Sequence, residues 1–421
     1  MMGKPGPDRS SQGVASNVAP GPLSGLRILE LGHFVAAPFC TRLLADIGAE
    51  VIKIEPLSGD PVRNWGEQLD GQSLWWSVHA RNKKSVALNL KSSAAIEIVL
   101  DIARACDVLA ENFRPGHLAR LGLADEVLRA ANPNLVIAHI SGFGQTGPYR
   151  DRAAFGVIGE AMGGLRYLTN HEQESSATPP VRTGISIGDS LAGLYAAFGI
   201  LAELWQREHS PGRRPVGRVD VALTEAVLSL MEGMLPEYGA LGKIRRPSGS
   251  RIPTAAPSSA YRSADGKWIV IAANSDALFL TFMRLIGKPE LANDPRYATN
   301  PARVENVDSL DRIIEAWTST LVSEALVAML SEVGIPCTRI YDASDCSSDV
   351  QFAARGMVRE IVDPLLGSVL HPGIVPYHPE SPGDVRWPGP ALGQHTDEVL
   401  GELLKLSPAE ISELRGQGAI S

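Results

Sequence analysis

The sequence predicts an α/β fold, with a Rossmann-like large domain and a smaller α+β domain. Three observations predict it. A strand–helix–strand pattern opens the chain after its first twenty or so residues. Strand and helix patterns then alternate as far as Leu223. Near Gly239 the texture changes, and a loop rich in Gly, Pro, Ser and Arg precedes a hairpin signal.

The opening unit starts at Leu26. Residues 26–31 read as a strand ending at Gly32. Residues 38–47 space their apolar side chains for a helix, which Gly48 stops. Residues 51–55 form a second strand, closed by Pro56. Such a unit implies a parallel pair. It also raises the question of a dinucleotide site, which needs G-x-G-x-x-G after the first strand. The segment here is Gly32-His33-Phe34-Val35-Ala36-Ala37, with the first glycine only. Side chains at the other two positions would hold a pyrophosphate off the backbone. The architecture is therefore Rossmann-like without nicotinamide binding, and Glu55 reads as a strand-end polar residue.

Further strands are expected at 86–90, 108–112, 135–140 and 219–223. Helices are expected at 94–105 and 190–206 and from Glu225. Residues 142–148 form a glycine-rich turn. Asp265-Gly266 between two β-prone runs signals a hairpin, and helices follow at 278–286, 310–318 and 397–404. The expected division is a flexible tail at 1–20, a large domain over 21–238, a linker and small domain over 239–333, and a last segment over 334–421.

Composition narrows the function. A chain of 421 residues is long enough for two cores. A net charge of −8 argues against a nucleic-acid surface but allows a local basic cleft. Cys40, Cys106, Cys337 and Cys346 lie far apart, without CxxC spacing. They suit a reducing compartment, the cytoplasm, rather than a disulfide scaffold or zinc site. His33, His79, His139 and His395 make no pair at metal spacing, so no metal is expected. No apolar stretch reads as long enough to span a bilayer, and no membrane partner is expected.

The sharpest local feature is Gly184-Ile185-Ser186-Ile187-Gly188-Asp189-Ser190, which runs straight into an apolar helix. Asp189 reads as an N-cap. A compatible reading is an ionised carboxylate held by helix N–H groups, with glycines leaving room for a substrate. A carboxylate can attack an activated acyl group, giving a mixed anhydride that must be kept dry. Exchange of one thioester for another is nearly balanced in energy. It needs no bound cofactor, in keeping with a chain that shows no P-loop motif. Two basic stretches, Arg81-Asn82-Lys83-Lys84-Ser85 and Glu111-Asn112-Phe113-Arg114-Pro115-Gly116-His117-Leu118-Ala119-Arg120, lie at strand ends. They suit phosphates, with Phe113 available to stack on an adenine, or they are solvated surface.

Together these motifs resemble the family III CoA-transferases. The matches run in order: 25–30 with Ala36-Ala37-Pro38-Phe39, then 44–55, 81–85, 111–116, 141–148, Gly188-Asp189-Ser190 and 390–396. The resemblance implies that Asp189 is the catalytic residue, carrying first an acyl anhydride and then a CoA thioester. It implies CoA contacts from Val35, Ala36, Arg81, Lys83, Asn112, Phe113 and Arg120. Phe143, Gly144, Arg182 and Arg251 would line the substrate end, the two arginines as holders of a distal carboxylate. CoA esters and small carboxylic acids would be the ligands, with CoA a substrate rather than a bound cofactor. An interlocked homodimer is implied, with the C-terminal segment returning to the large domain. Val35 and Phe143 depart from the glutamine and tyrosine of formyl-CoA transferase. Residues 249–257 look instead like members that use succinyl-CoA and four- or five-carbon dicarboxylates. The alternatives are a 2-methylacyl-CoA racemase, for which Phe155 stands where a histidine base is needed, and a non-catalytic CoA-binding protein.

Overall fold

The computed structural model describes residues 21–171, 179–210 and 217–421, so the expected tail at 1–20 lies outside the described residues. The chain divides into two units. The first comprises the chain up to Asp151, Ala192–Val221 and Arg359–Ser421. The second comprises Arg152–Leu191 and Ala222–Val358. This corrects the expected boundaries. Residues 152–191 leave the large domain because helix Gly156–Met162 packs on helix Leu223–Leu228. Gly159 and Gly163 allow the approach, since a Cβ on either would run into Leu223 or Val227. The C-terminal segment joins the first unit at Arg359, not at residue 334.

In the first unit a six-stranded sheet contains β1 (Arg27–Glu30), β2 (Glu50–Glu55), β3 (Lys83–Ala87), β4 (Val108–Glu111), β5 (Val136–Ser141) and β6 (Arg218–Ala222). Their order is β3-β2-β1-β4-β5-β6. The pairs β1–β2, β2–β3, β1–β4 and β4–β5 are parallel. This is a doubly wound order, and the winding reverses between β1 and β4. In such sheets ligands bind beyond the carboxyl ends of the strands at that reversal. Near-continuous apolar strands fit a sheet covered on both faces. Leu29, Ile52, Val86, Leu109 and Ile137 are fully buried, each contributing about 1.5–3 kcal/mol. The C-terminal segment fastens to β3 and to the helix before it. Trp76 Nε1 donates to the Pro390 carbonyl at 2.8 Å, the Ser85 N–H donates to His395 Nδ1 at 3.1 Å, and Ile420 bridges Leu88.

The second unit has its own antiparallel sheet, β7 (Ser258–Arg262), β8 (Trp268–Ala272) and β9 (Cys337–Arg339), in the order β9-β8-β7. Gly266, with φ 77°, makes the turn between β7 and β8. Phe279, Phe282, Leu310, Ile314, Leu326 and Leu330 form the core beneath it.

Helix Ile187–His209 contains the division between the units, at Leu191/Ala192. Contrary to the reading of the sequence, it is long and apolar enough to cross a membrane by length and composition alone. Its part in the first unit exposes Leu194, Phe198, Leu201 and Trp205 at one-turn spacing.

Candidate active site

The reversal point of the first unit is built on Gly32, which follows β1. A Cβ there would strike Ala37 and crowd Asn112. The chain then turns through Phe34 at φ 61°, a left-handed conformation that a bulky side chain rarely adopts. Two groups hold it there. Lys53 Nζ donates to the Gly32 carbonyl at 2.7 Å, and the Phe34 N–H reaches Asp60 Oδ1 at 3.2 Å. From the end of β4, Asn112 clamps the same loop at two points. Its Oδ1 accepts the His33 N–H at 2.8 Å and its Nδ2 donates to the His33 carbonyl at 2.9 Å.

The strand-end residues 112–113 and the loop 32–36 therefore meet. Phe113 lies between His33 and His117, with ring centroids 5.0 and 4.8 Å away. Exposed Arg120 reaches to 3.5 Å from His117 Nδ1, and Arg120 and Arg150 both approach Gly116. Val35 and Ala36 bury their side chains. What they can present is backbone N–H at the start of helix Ala36–Asp46, whose first turn carries no acidic residue.

Below the loop, Glu111 accepts the Phe113 N–H at 2.6 Å and pairs with His139 at 2.5 Å; His139 also faces Asp125 at 3.1 Å. Burial opposes charge on His139, but the hydrogen bonds it donates to Asp125 and Glu111 win and raise it to about 9. His33 and Arg150 did not stand out in the sequence. His33 Nδ1 is buried without a hydrogen-bond partner among the described residues.

Arg81 and Lys83 correct the reading of the basic stretch. Both are fully buried, neither solvated nor open to a ligand. Arg81 forks onto Asp46 at 3.0 and 2.6 Å. Lys83 begins β3 and turns inward, donating to Glu30 Oε2 at 2.8 Å and the Pro38 carbonyl at 2.7 Å. Burial lowers it to about 8. Lys53 joins the same cluster, meeting Glu30 at 2.7 Å and Asp60 at 2.8 Å. Glu55 is likewise buried in a two-point pair with Arg63, both contacts at 2.8 Å.

Phe143 and Gly144 also belong to the first unit. Phe143 is half-buried, edge-on to Tyr149 at 5.8 Å, and Gly144 makes the following turn with φ 84°.

In the second unit the helix begins at Ile187, so Asp189 sits inside its first turn and is not the N-cap. The Gly156 N–H donates to its carboxylate. Any side chain at Gly156 would occupy that carboxylate's place, and a Cβ at Gly188 would lie 2.6 Å from the Gly156 carbonyl. Burial pushes Asp189 up to about 6 and the Glu160 carboxylate pushes it the same way. Arg182 and the Gly156 N–H pull against them. Glu160 is 1% exposed, and its Oε1 has no hydrogen-bond partner among the described residues. Its Oε2 is 3.9 Å from Arg182 Nε.

Arg182 is thus grouped with Asp189 and Glu160. Arg251 is committed elsewhere: it pairs with Asp308 at 2.8 Å and Asp311 at 2.7 Å, which removes it as a free holder of a carboxylate. Phe155 is 64% exposed beside Gly156 and offers no proton-transfer group.

The first unit has a doubly wound α/β architecture around a mainly parallel sheet. Comparison with known proteins carries this further. Residues 23–396 match CoA-transferase family III. The succinyl-CoA–D-citramalate CoA-transferase of Chloroflexus aurantiacus is 47% identical over 97% of this chain and 100% of its own. The human succinyl-CoA:glutarate CoA-transferase is 33% identical over 95% of this chain and 90% of its own. A crystal structure of a CaiB/BaiF family protein from Brucella suis superposes with a TM-score of 0.81 at 31% identity, covering 91% of this chain and 100% of that one. The chain belongs to CoA-transferase family III and is a CoA-transferase.

Proposed function

We propose that this enzyme moves CoA from succinyl-CoA to a four- or five-carbon dicarboxylic acid by covalent catalysis at Asp189. The observation that carries the reading is the setting of Asp189. It is a carboxylate lodged against a glycine N–H, raised to about 6 by burial and a neighbouring carboxylate, so it is ionised yet basic at neutral pH. Relatives named for D-citramalate and glutarate support the acceptor class. Arg182 supports it too, as the partly exposed cation that acts on Asp189 and stands 3.9 Å from Glu160.

The steps balance without a cofactor. Asp189 attacks the succinyl carbonyl, forming an anhydride and expelling the CoA thiolate. The thiolate attacks the Asp189 carbonyl of the anhydride, giving an aspartyl thioester and free succinate. The acceptor carboxylate attacks that thioester, and the released thiolate takes the new acyl group, restoring ionised Asp189. CoA is substrate throughout. Its adenine is assigned to Phe113, with Asn112 fixing the loop below it. Its phosphates go to Arg120 and the N–H groups at Val35 and Ala36.

The apolar stripe Leu194, Phe198, Leu201 and Trp205 supports burial against a second copy, as an interlocked homodimer requires. The four cysteines are free, which suits the cytoplasm.

Mass spectrometry of products from succinyl-CoA and a panel of carboxylic acids tests the proposal. A new acyl-CoA formed by the wild type and absent with Asp189→Ala is expected. No transfer to any dicarboxylate would overturn it.

A further inference from the structure

Glu160 has no part in the covalent steps, yet it is among the least accessible carboxylates in the second unit. Helix Gly156–Met162 places it one turn beyond Gly156, on the same face. Gly156 holds the Asp189 carboxylate, and Gly188 has no side chain to separate Glu160 from the backbone leading into Asp189. A Cβ at Gly188 would be 3.4 Å from Glu160 Cγ. Among the described residues one oxygen of Glu160 is unpartnered, and the other has only Arg182 at 3.9 Å, a long contact for an ion pair. A buried carboxylate is normally paired or fully hydrogen-bonded. Here it is left under-compensated next to another carboxylate.

We propose that Glu160 is a positioning residue whose buried charge drives Asp189 out of its ionised form and into its uncharged acylated forms. The inference rests on Asp189 as nucleophile. When Asp189 attacks, its negative charge leaves on the CoA thiolate, and the anhydride and thioester that follow carry none on Asp189. Repulsion from Glu160 is present before the attack and relieved after it, so it lowers the barrier without touching the substrate. Among the described residues, the charged side chains acting on Asp189 are Glu160 and, opposing it, Arg182. Helix Leu223–Leu228, packed behind residues 156–162, carries one charged residue, Glu225, which does not enter that balance.

The test is the pH dependence of acyl-enzyme formation in the full-length protein. Succinyl-CoA is mixed with enzyme, the adduct is trapped with hydroxylamine, and Asp189 is read by mass spectrometry. Without Glu160 the aspartate ionises more readily and is a weaker nucleophile. Glu160→Gln is therefore expected to acylate roughly three- to tenfold more slowly at neutral pH, with the acid limb of the profile moved to lower pH. The acceptor KM should be unchanged, and Glu160→Asp should restore part of both effects. Arg182→Gln removes the opposing charge, and its acid limb should move to higher pH. An unmoved acid limb in Glu160→Gln would overturn the inference, whatever its rate. If that variant does not fold, an unmoved limb in Arg182→Gln does the same. Failure to trap any adduct on wild-type Asp189 would instead overturn the underlying reading of the nucleophile.

Discussion

Two groups of buried charge in this molecule follow opposite plans. In the first unit Lys53, Lys83, Glu30 and Asp60 interlock at 2.7–2.8 Å, with Glu30 shared by both lysines. Burial alone would raise Glu30, but the two lysines hold it below the usual carboxylate range. In the second unit, among the described residues, Arg182 is the one cation acting on Asp189, and it stands 3.9 Å from Glu160. There burial and like charge win, and Asp189 rises. Satisfied buried charge fixes a loop in place; unsatisfied buried charge stores free energy that chemistry can release. The first group carries the Gly32 loop through Lys53, and the second carries the nucleophile.

The comparison can be broken most severely at Asp189. Asp189→Asn keeps the shape and removes the nucleophile, so transfer should fall by a factor on the order of 10³ or more. Assays paired with circular dichroism would separate this from unfolding. Glu30→Gln attacks the other group. It leaves two buried ammonium groups short of a partner and should destabilise the protein by about 3–5 kcal/mol in urea titrations. Any change in the folded enzyme should appear in KM for the CoA ester before kcat, because Glu30 acts on the loop and not on the reacting carboxylate.

Gly156→Ala is a smaller, sharper probe. The new methyl would claim the space of the Asp189 carboxylate. A cost of about 1–3 kcal/mol in stability is expected, with a loss of kcat of at least about tenfold from misplacement. The smallest effect concerns His139, raised from 6.5 to about 9 by Asp125 and Glu111. Its pairing stabilises the fold fully below pH 6.5 and is lost as pH rises through about 9. Urea midpoints at pH 6.5 and 9.5 should therefore differ more for wild type than for His139→Gln, by about 1 kcal/mol.

The sheet was legible because its strands are apolar runs punctuated by Gly32, Gly48 and Pro56, and this punctuation sets element boundaries locally. Strand β3 begins three residues before the apolar run that marks it in the sequence. It opens with Lys83-Lys84-Ser85, which look like loop, and the partner that makes Lys83 a core residue, Glu30, lies 53 positions away. Domain membership failed at 152–191 for the same reason, since packing of Gly159 against Leu223 leaves no local trace. Asp189 was visible through Gly188-Asp189-Ser190 ahead of an apolar helix. Glu160 was not, being one acidic residue in a short helix. The recurrence of Gly156, Gly159 and Gly163 around it was the available sign of close packing.

The fastening of β3 to the chain's last residues bears on how the protein is made. Ser85 waits for His395, 310 positions later, and Leu88 for Ile420. The ribosome releases the β3 segment early, while its partners are still unsynthesised. The segments that form the second unit have all emerged before residue 359. Synthesis therefore completes the inserted unit first and the unit that begins the chain last, and until then β3 is an open edge that other chains in the cell can find.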